Sequence, residues 1–425
     1  MIKLAHKFFN YDERVEKMSA DALEKAKHVF NKIDCVTEYN QQKVLSAFIE
    51  YAVSETDMFP STGYGNSDKG RDKLDKIVAR SFSAEDALIR HSFACGTHTL
   101  CVMLFGLLRP GDTMLCATGR PYDTICPVIG MDGALGTGSL ADFGVNYMQC
   151  ELKDNGDIDI DAVVKTVKEN KIKIVYIQRS RGYTLRPSLS VEKIEEAANA
   201  VKAVSDALIV VDNCYGEFVQ KDEPVSRGAD IMAGSLIKNP GGGLAPCGGY
   251  IAGRADLVEL CSYRMTTASL GREVGATLGH TRELMMGFFN APHVVGEALK
   301  TAAFAAALFD DFGFGTTPKY DEDRFDIIQA IKLGNKENLI AFCQGIQKGS
   351  PVDSYAVPEP WDMPGYPNQV IMAAGAFTNG SSIELSADAP LREPYAVWMQ
   401  GGLNFHTGKV GIMHAADEMV KKGLI

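Results

Sequence analysis

The chain has no uninterrupted apolar run of the roughly 20 residues that a membrane-spanning helix needs. Its opening, "MIKLAHKFFNYDERVEKMSADALEKAK", lacks the long apolar stretch of a secretory signal, so a cytoplasmic protein is expected. Ten cysteines are scattered along it without a single CxxC pair, which argues against a zinc site or a thioredoxin-like dithiol. Free thiols in a reducing compartment are the simpler expectation. Positive charge is not in excess either. With 43 basic and 54 acidic residues the net charge is −11, unsuited to a nucleic-acid backbone or an anionic membrane surface as main partner. A small anionic ligand is still compatible, because local charge can oppose the global field. No internal repeat, low-complexity tract or metal-ligand cluster is seen. No GxGxxG opens a helix after a first strand, as a dinucleotide site would require. The glycines of "NPGGGLAPCGG" follow a lysine and have no GK[ST] ending, which argues against an NTPase-type phosphate loop.

What is present is an ordinary globular balance, 46% hydrophobic and 23% charged, over 425 residues, a length that fits two domains. "SADALEKAKHVFNKID" places Leu23, Ala26, Val29, Phe30 and Ile33 on one helical face, with Ser19 as N-cap. "QQKVLSAFIEYAVSE" predicts a second helix, and "FPSTGYGNSDKGRD" a break. From about residue 72 helices alternate with short apolar strands: "TMLCAT", "VNYMQC", "IKIVYIQ", "ALIVVDN", "DIMAGSL" and "GGYIAG". Near-continuous apolar strands separated by helices predict a mostly parallel central sheet with helices on both faces. After about residue 290 an Ala-rich helix, the Pro-rich loop "YAVPEPWDMPGYPNQ" and the short runs "QVIMAAGAF" and "SSIELSA" predict a smaller α+β C-terminal domain.

Ligands of such sheets bind beyond the carboxyl ends of the strands. Asp212 closes the apolar run Leu208-Ile209-Val210-Val211, and Lys238 follows the strand "DIMAGSL". Apolar neighbours would desolvate the Lys238 amine and favour its neutral form, which can react with an aldehyde. A carboxylate at a buried strand end can hold a heteroaromatic nitrogen protonated. Each residue alone has a plainer explanation, a solvated loop lysine or a capping aspartate. Gly96 and Thr97 stand at the start of a helix, where free N–H groups and the helix dipole favour an anion. Ser235 can add a hydroxyl. Tyr122, just past a strand, is a flat ring suited to stacking on a cofactor or to core packing.

Together these segments resemble the fold-type-I pyridoxal-phosphate (PLP) enzymes. More narrowly, the chain is similar to the bacterial aluminium-resistance/methionine-γ-lyase-like family of the cystathionine lyase group. The resemblance rests on "STGYGNSDKGRD", "GTHTLCVMLFGLLRPGD", "GRPYDTI", "YIQRSRGYTLRPSL", "VVDNCYGEF", "GSLIKNPGGGLAPCGGYIAGR" and "REPYAVWMQGGLNFHTGKVGIM". It implies an α/β, fold-type-I PLP-dependent transferase fold in three parts: an N-terminal helical arm over 1–65, a large PLP-binding domain over 66–295 and a small domain over 296–425. By the same resemblance Lys238 tethers PLP and moves protons, Asp212 pairs with the ring nitrogen, and Tyr122 stacks on the ring. Gly96, Thr97 and Ser235 hold the phosphate. Tyr64 and Arg71 complete the phosphate site of a neighbouring subunit, with Tyr64 also a candidate acid toward the leaving group. Arg392 takes the substrate carboxylate. "QRSRGY" adds Arg179 and Arg181, which the sequence alone does not assign.

The implied activity is β- or γ-elimination on a sulfur-containing amino acid, of cystathionine or methionine type, to a 2-oxo acid, ammonia and a thiol. The implied assembly is a homo-oligomer, a tetramer built from dimers with shared sites, with no metal, nucleic acid or membrane as partner. The alternatives are side-chain replacement, transamination or racemisation on the same scaffold, or a PLP-binding protein without catalysis. Two departures from the family pattern stand out. Cys95 occupies the place of an expected serine, and Ile125-Cys126-Pro127 follows Tyr122-Asp123-Thr124 where relatives tend to be acidic.

Overall fold

The computed structural model describes residues 8–131, 133, 135–362 and 368–425. The chain divides into two compact units. One comprises residues 35–296 and 324–327, the other 1–34, 297–323 and 328–425, so the stretch 1–65 is divided between them. Among the described residues no helix is long and apolar enough to cross a membrane.

The larger unit is built on seven strands: β1 (Asp86–Arg90), β2 (Thr113–Cys116), β3 (Asn146–Gln149), β4 (Ile174–Gln178), β5 (Leu208–Asp212), β6 (Ile231–Ser235) and β7 (Gly249–Gly253). Their order is β1-β7-β6-β5-β4-β2-β3. All neighbours run parallel except β7, which is antiparallel to both β1 and β6. Strands β4, β6 and β7 are buried at every position, which is why they read as unbroken apolar runs. The smaller unit holds an antiparallel sheet of β8 (Gly315–Thr317), β9 (Gln329–Lys332), β10 (Val370–Ala373), β11 (Ser386–Pro390) and β12 (Ala396–Gln400), in the order β10-β11-β12-β9-β8. Phe304, Phe309, Phe342 and Met399 lie in its core.

Three sequence expectations are corrected. Helix α1 runs unbroken over Glu13–Glu50, where two helices were expected. Between Ile33 and Gln41 there is neither proline nor glycine, so nothing interrupts the backbone hydrogen bonds. Ser19 therefore sits inside α1, buried, and is not its cap. Strands β1, β8, β9 and β12 were not read from the sequence. The Pro-rich loop was expected over 355–369; its residues 363–367 lie outside the described residues.

Helix α2 (Lys69–Phe82) starts at Asp68, whose side chain accepts from the Arg71 N–H, and ends at Ser83 in the left-handed region. It pins the edge strand β1 through a buried ion pair. Arg90 donates from Nη1 and Nη2 to the two oxygens of Asp75, at 2.6 and 2.9 Å, and the Ile89 N–H donates to the same carboxylate. Burial pushes the Asp75 pKa up against the pull of Arg90. Asp75→Ala would strand a buried guanidinium, and the expected loss is about 3–5 kcal/mol, read by denaturant unfolding.

Candidate active site

Strands β4, β5 and β6 end side by side, in register. Gln178 lies opposite Asp212, and Asp212 opposite Ala233, two residues before Ser235. Helix α3 (Gly96–Leu107) points its N-terminus at the same edge. One cavity there is lined by Gly96, Thr97, Tyr122, Asp212, Ser235 and Lys238, together with Gln178, Thr124, Cys214 and Tyr215. Six residues singled out from separate stretches of sequence thus share one wall.

Asp212 is buried and held from two sides. The Tyr176 hydroxyl donates to Oδ2 at 3.3 Å, and the Cys214 N–H donates to Oδ1 at 3.0 Å. Burial, and then the adjacent Asp212 carboxylate, push the Tyr176 hydroxyl far above its usual pKa, so it stays a proton donor. A buried carboxylate bonded in this way is fixed in orientation.

Lys238 extends its Nζ to 4.0 Å from the ring centroid of Tyr215. Its amine departs from the expected neutral form. Burial lowers the pKa, but the acidic groups facing it, Cys214, Tyr215, Asp212 and Tyr122, outweigh burial and raise it well above the usual value. The sequence showed the apolar neighbours of Lys238 and the acid Asp212; it did not show that Cys214 and Tyr215 also face the amine. Tyr215 itself has φ 72°, an uncommon conformation for an aromatic residue. Asn239 stabilises it by donating from Nδ2 to the carbonyls of Tyr215 and Glu217, both at 3.0 Å.

At the other end of the cavity the α3 N-terminus meets β6. A Cβ on Gly96 would lie 3.0 Å from the Ser235 Cβ, so only glycine allows this approach without a shift. Ser235 is buried, and its Oγ has no hydrogen-bond partner among the described residues. Thr97 and Thr124 share a hydroxyl hydrogen bond of 2.7 Å. Cys95 caps α3, its sulfur accepting from the His98 N–H at 3.4 Å, so the departure from serine keeps a capping side chain. First-turn N–H groups, two threonine hydroxyls and an unsatisfied serine hydroxyl meet at this end of the cavity, an arrangement of donors suited to an anion. Tyr122 flanks it; its N–H donates to Gln178 Oε1 at 2.7 Å.

Tyr64, Arg71 and Arg392 do not line this cavity. Tyr64 is 75% exposed. Arg71 is buried, donating from Nη1 to the carbonyls of Gly65 and Gly275 at 2.9 and 3.0 Å. Arg392 is exposed just after β11 in the smaller unit. The two arginines left unassigned are both buried. Arg179 ties β4 to the loop after β5 through Asn213 Oδ1 at 2.8 Å and the Gly216 carbonyl at 3.0 Å. Arg181 lies 3.8 Å from the Asp326 carboxylate. Sequence reasoning passed over Gln178, Tyr176, Cys214, Tyr215 and Thr124. Gln178 ends the apolar run "IVYIQ" much as Asp212 ends its own, and that parallel was the available signal. Among the described residues no cluster of His, Cys, Asp and Glu could hold a metal ion.

A mostly parallel seven-stranded sheet, with an acid and a lysine at neighbouring strand ends and a smaller antiparallel-sheet unit, is the fold of the fold-type-I PLP-dependent enzymes. The chain belongs to the methionine gamma-lyase family, whose profile matches residues 15–420. It is similar to a solved structure from Clostridium acetobutylicum, provisionally named a cystathionine beta-lyase involved in aluminum resistance. The two are 47% identical with a TM-score of 0.94, covering 97% of this chain and 96% of that one. The carbon-sulfur lyase involved in aluminum resistance from Clostridium novyi NT is 49% identical, with a TM-score of 0.93 and 96% of each chain covered. The PLP-dependent protein YhfS of Escherichia coli, 13% identical with a TM-score of 0.63 over 92% of this chain and 97% of that one, shares the fold alone.

Proposed function

We propose that this protein binds PLP in the cavity at the carboxyl edge of the large sheet and acts as a carbon-sulfur lyase on a sulfur-containing amino acid. The observation behind the reading is the meeting of Asp212, Lys238 and the Gly96–Ser235 cradle in one cavity. The residues fit the group. The orphaned Ser235 hydroxyl lies where an anion would accept from it, and the space that a Cβ on Gly96 would invade is kept open. Bound PLP supplies an aldehyde carbon that captures an amine and a cationic ring that withdraws electrons from the substrate's α-carbon.

The chain's own residues do the remainder. Lys238 holds the cofactor and then, released by the incoming amino acid, carries the α-proton away and returns a proton later in the reaction. Asp212, oriented by Tyr176, keeps the ring nitrogen protonated by remaining anionic beside it. Tyr122, which lines the cavity, would stack on the ring. Gly96, Thr97 and Ser235 anchor the phosphate. Arg392 receives the substrate carboxylate, and Tyr64 and Arg71 of a second copy complete the site in a homo-oligomer, a tetramer built from dimers. The exposure of Tyr64 is consistent with a role in a neighbouring subunit's site. The products are a 2-oxo acid, ammonia and a thiol, by β- or γ-elimination. The relatives named for carbon-sulfur and cystathionine lyase chemistry support this choice over transamination or racemisation.

Incubating the PLP-loaded protein with cystathionine and with methionine tests the assignment. Release of free thiol together with 2-oxo acid is expected; formation of an amino-group acceptor product without thiol would overturn it. In Ser235→Ala the cradle loses one hydroxyl donor to a charged group, and PLP affinity is expected to fall roughly tenfold, measured by absorbance titration.

A further inference from the structure

Glu217 has no part in the chemistry above, yet it is fully buried and close enough to Lys238 to feel its charge. Its Oε1 is 2.8 Å from the Tyr250 hydroxyl, while Oε2 has no hydrogen-bond partner among the described residues. The carboxyl is wedged over β6, where a Cβ on Gly234 would lie 2.3 Å from Oε1. Asn239, the residue after Lys238, grips the Glu217 carbonyl, so the two side chains extend from one clamped stretch of backbone. Phe82, Phe218, Phe288 and Tyr250 pack ring to ring beside it, at 5.3 to 5.6 Å between centroids, which keeps water out.

We propose that Glu217 is a positioning residue for Lys238: the charge state of its buried carboxyl, which accepts a hydrogen bond from Tyr250, sets how readily the lysine amine gives up its proton. This rests on Lys238 being the lysine that binds the cofactor. With the Tyr250 hydroxyl and its own backbone N–H as donors and one bare buried oxygen, the Glu217 carboxylate is incompletely satisfied. Burial pushes the Glu217 pKa up to about 8. The groups facing it are Glu223 on the same loop, Cys214 after β5, Tyr250 on β7 and Lys238 after β6. Arg179 and Lys43 of α1 act one step further away, through Glu223. At neutral pH the carboxyl is uncharged, and Asp212 is the full negative charge that faces Lys238. At alkaline pH Glu217 ionises, a second anion joins it, and the Lys238 amine holds its proton more tightly.

Two titrations test this in the wild type, in Glu217→Gln and in Tyr250→Phe, which keeps the carboxyl but removes its donor. In the PLP-loaded protein the midpoint of the visible absorbance against pH is followed. In cofactor-free protein the pH dependence of Lys238 acetylation is followed by peptide mapping. Both variants are expected to lower both midpoints, by roughly one pH unit for Glu217→Gln. Superimposable curves in all three proteins would overturn the inference. If no protein shows visible absorbance while the acetylation midpoint still moves, the cofactor assignment fails and the Glu217 inference stands. Glu217→Gln is also expected to gain melting temperature on the wild type as pH rises from 5.5 to 8.5. An acid whose folded pKa is raised contributes stability below its unfolded pKa, near 4.5, and loses it as pH climbs toward 8. A constant difference between the two proteins over that range would contradict the buried neutral carboxyl.

Discussion

A Lys238→Ala protein is expected to lose turnover by roughly 10³-fold or more, along with the visible absorbance of lysine-bound PLP. No neighbour can substitute. Asp212, Ser235, Thr97 and Tyr122 share the cavity with it, and none carries an amine. Folding should be little affected, because the side chain projects into the cavity and its Nζ rests against the face of Tyr215. Removing a cation from beside Asp212 would also leave that carboxylate less well compensated. The expected signature is therefore selective: a folded protein that binds PLP weakly and without a covalent bond. Retention of both activity and absorbance would refute the role given to Lys238.

The second large effect is expected at Asp212→Asn. The amide keeps the shape of the side chain but has one acceptor oxygen, so it can accept from either the Tyr176 hydroxyl or the Cys214 N–H and not from both. It cannot supply the negative charge that holds a ring nitrogen protonated. Turnover is expected to fall by roughly 10²- to 10⁴-fold, with the Lys238 linkage and its absorbance intact. Lys238→Ala and Asp212→Asn thus separate attachment from electronics. Steady-state rates beside absorbance spectra of the two variants would show whether the separation holds. A fully active Asp212→Asn protein would mean that the acid has a structural role only.

Much of the site was legible because its residues interrupt strong patterns. Asp212 ends a run of four apolar residues, Lys238 follows the next strand, and Gly96-Thr97 opens a helix. The separation of Asp212 from Lys238 allows two adjacent strand ends joined through a crossover, and the sheet has β5 and β6 paired. The parts that were not legible depend on conformation. Nothing in "NCYGEF" says that Tyr215 adopts a positive φ and brings its ring under the amine. Nothing local says that Glu217 is fully buried, since it follows a glycine in a loop. Desolvation of Lys238 is visible in its neighbouring residues, whereas the placement of Cys214, Tyr215 and Tyr122 around its amine depends on the fold. Continuous α1 was misread. A plausible cap at Ser19 was weighed above the absence of any residue able to stop the helix.

The central claim is that one lysine, across a cavity from one strand-end acid, binds PLP. Reduction of the PLP-loaded protein with borohydride, followed by peptide mapping, tests it most directly. The expected result is a pyridoxyl group on the peptide containing Lys238 and on no other lysine peptide, with loss of the visible band. A label on a different lysine, or a protein that takes up no PLP, would contradict it.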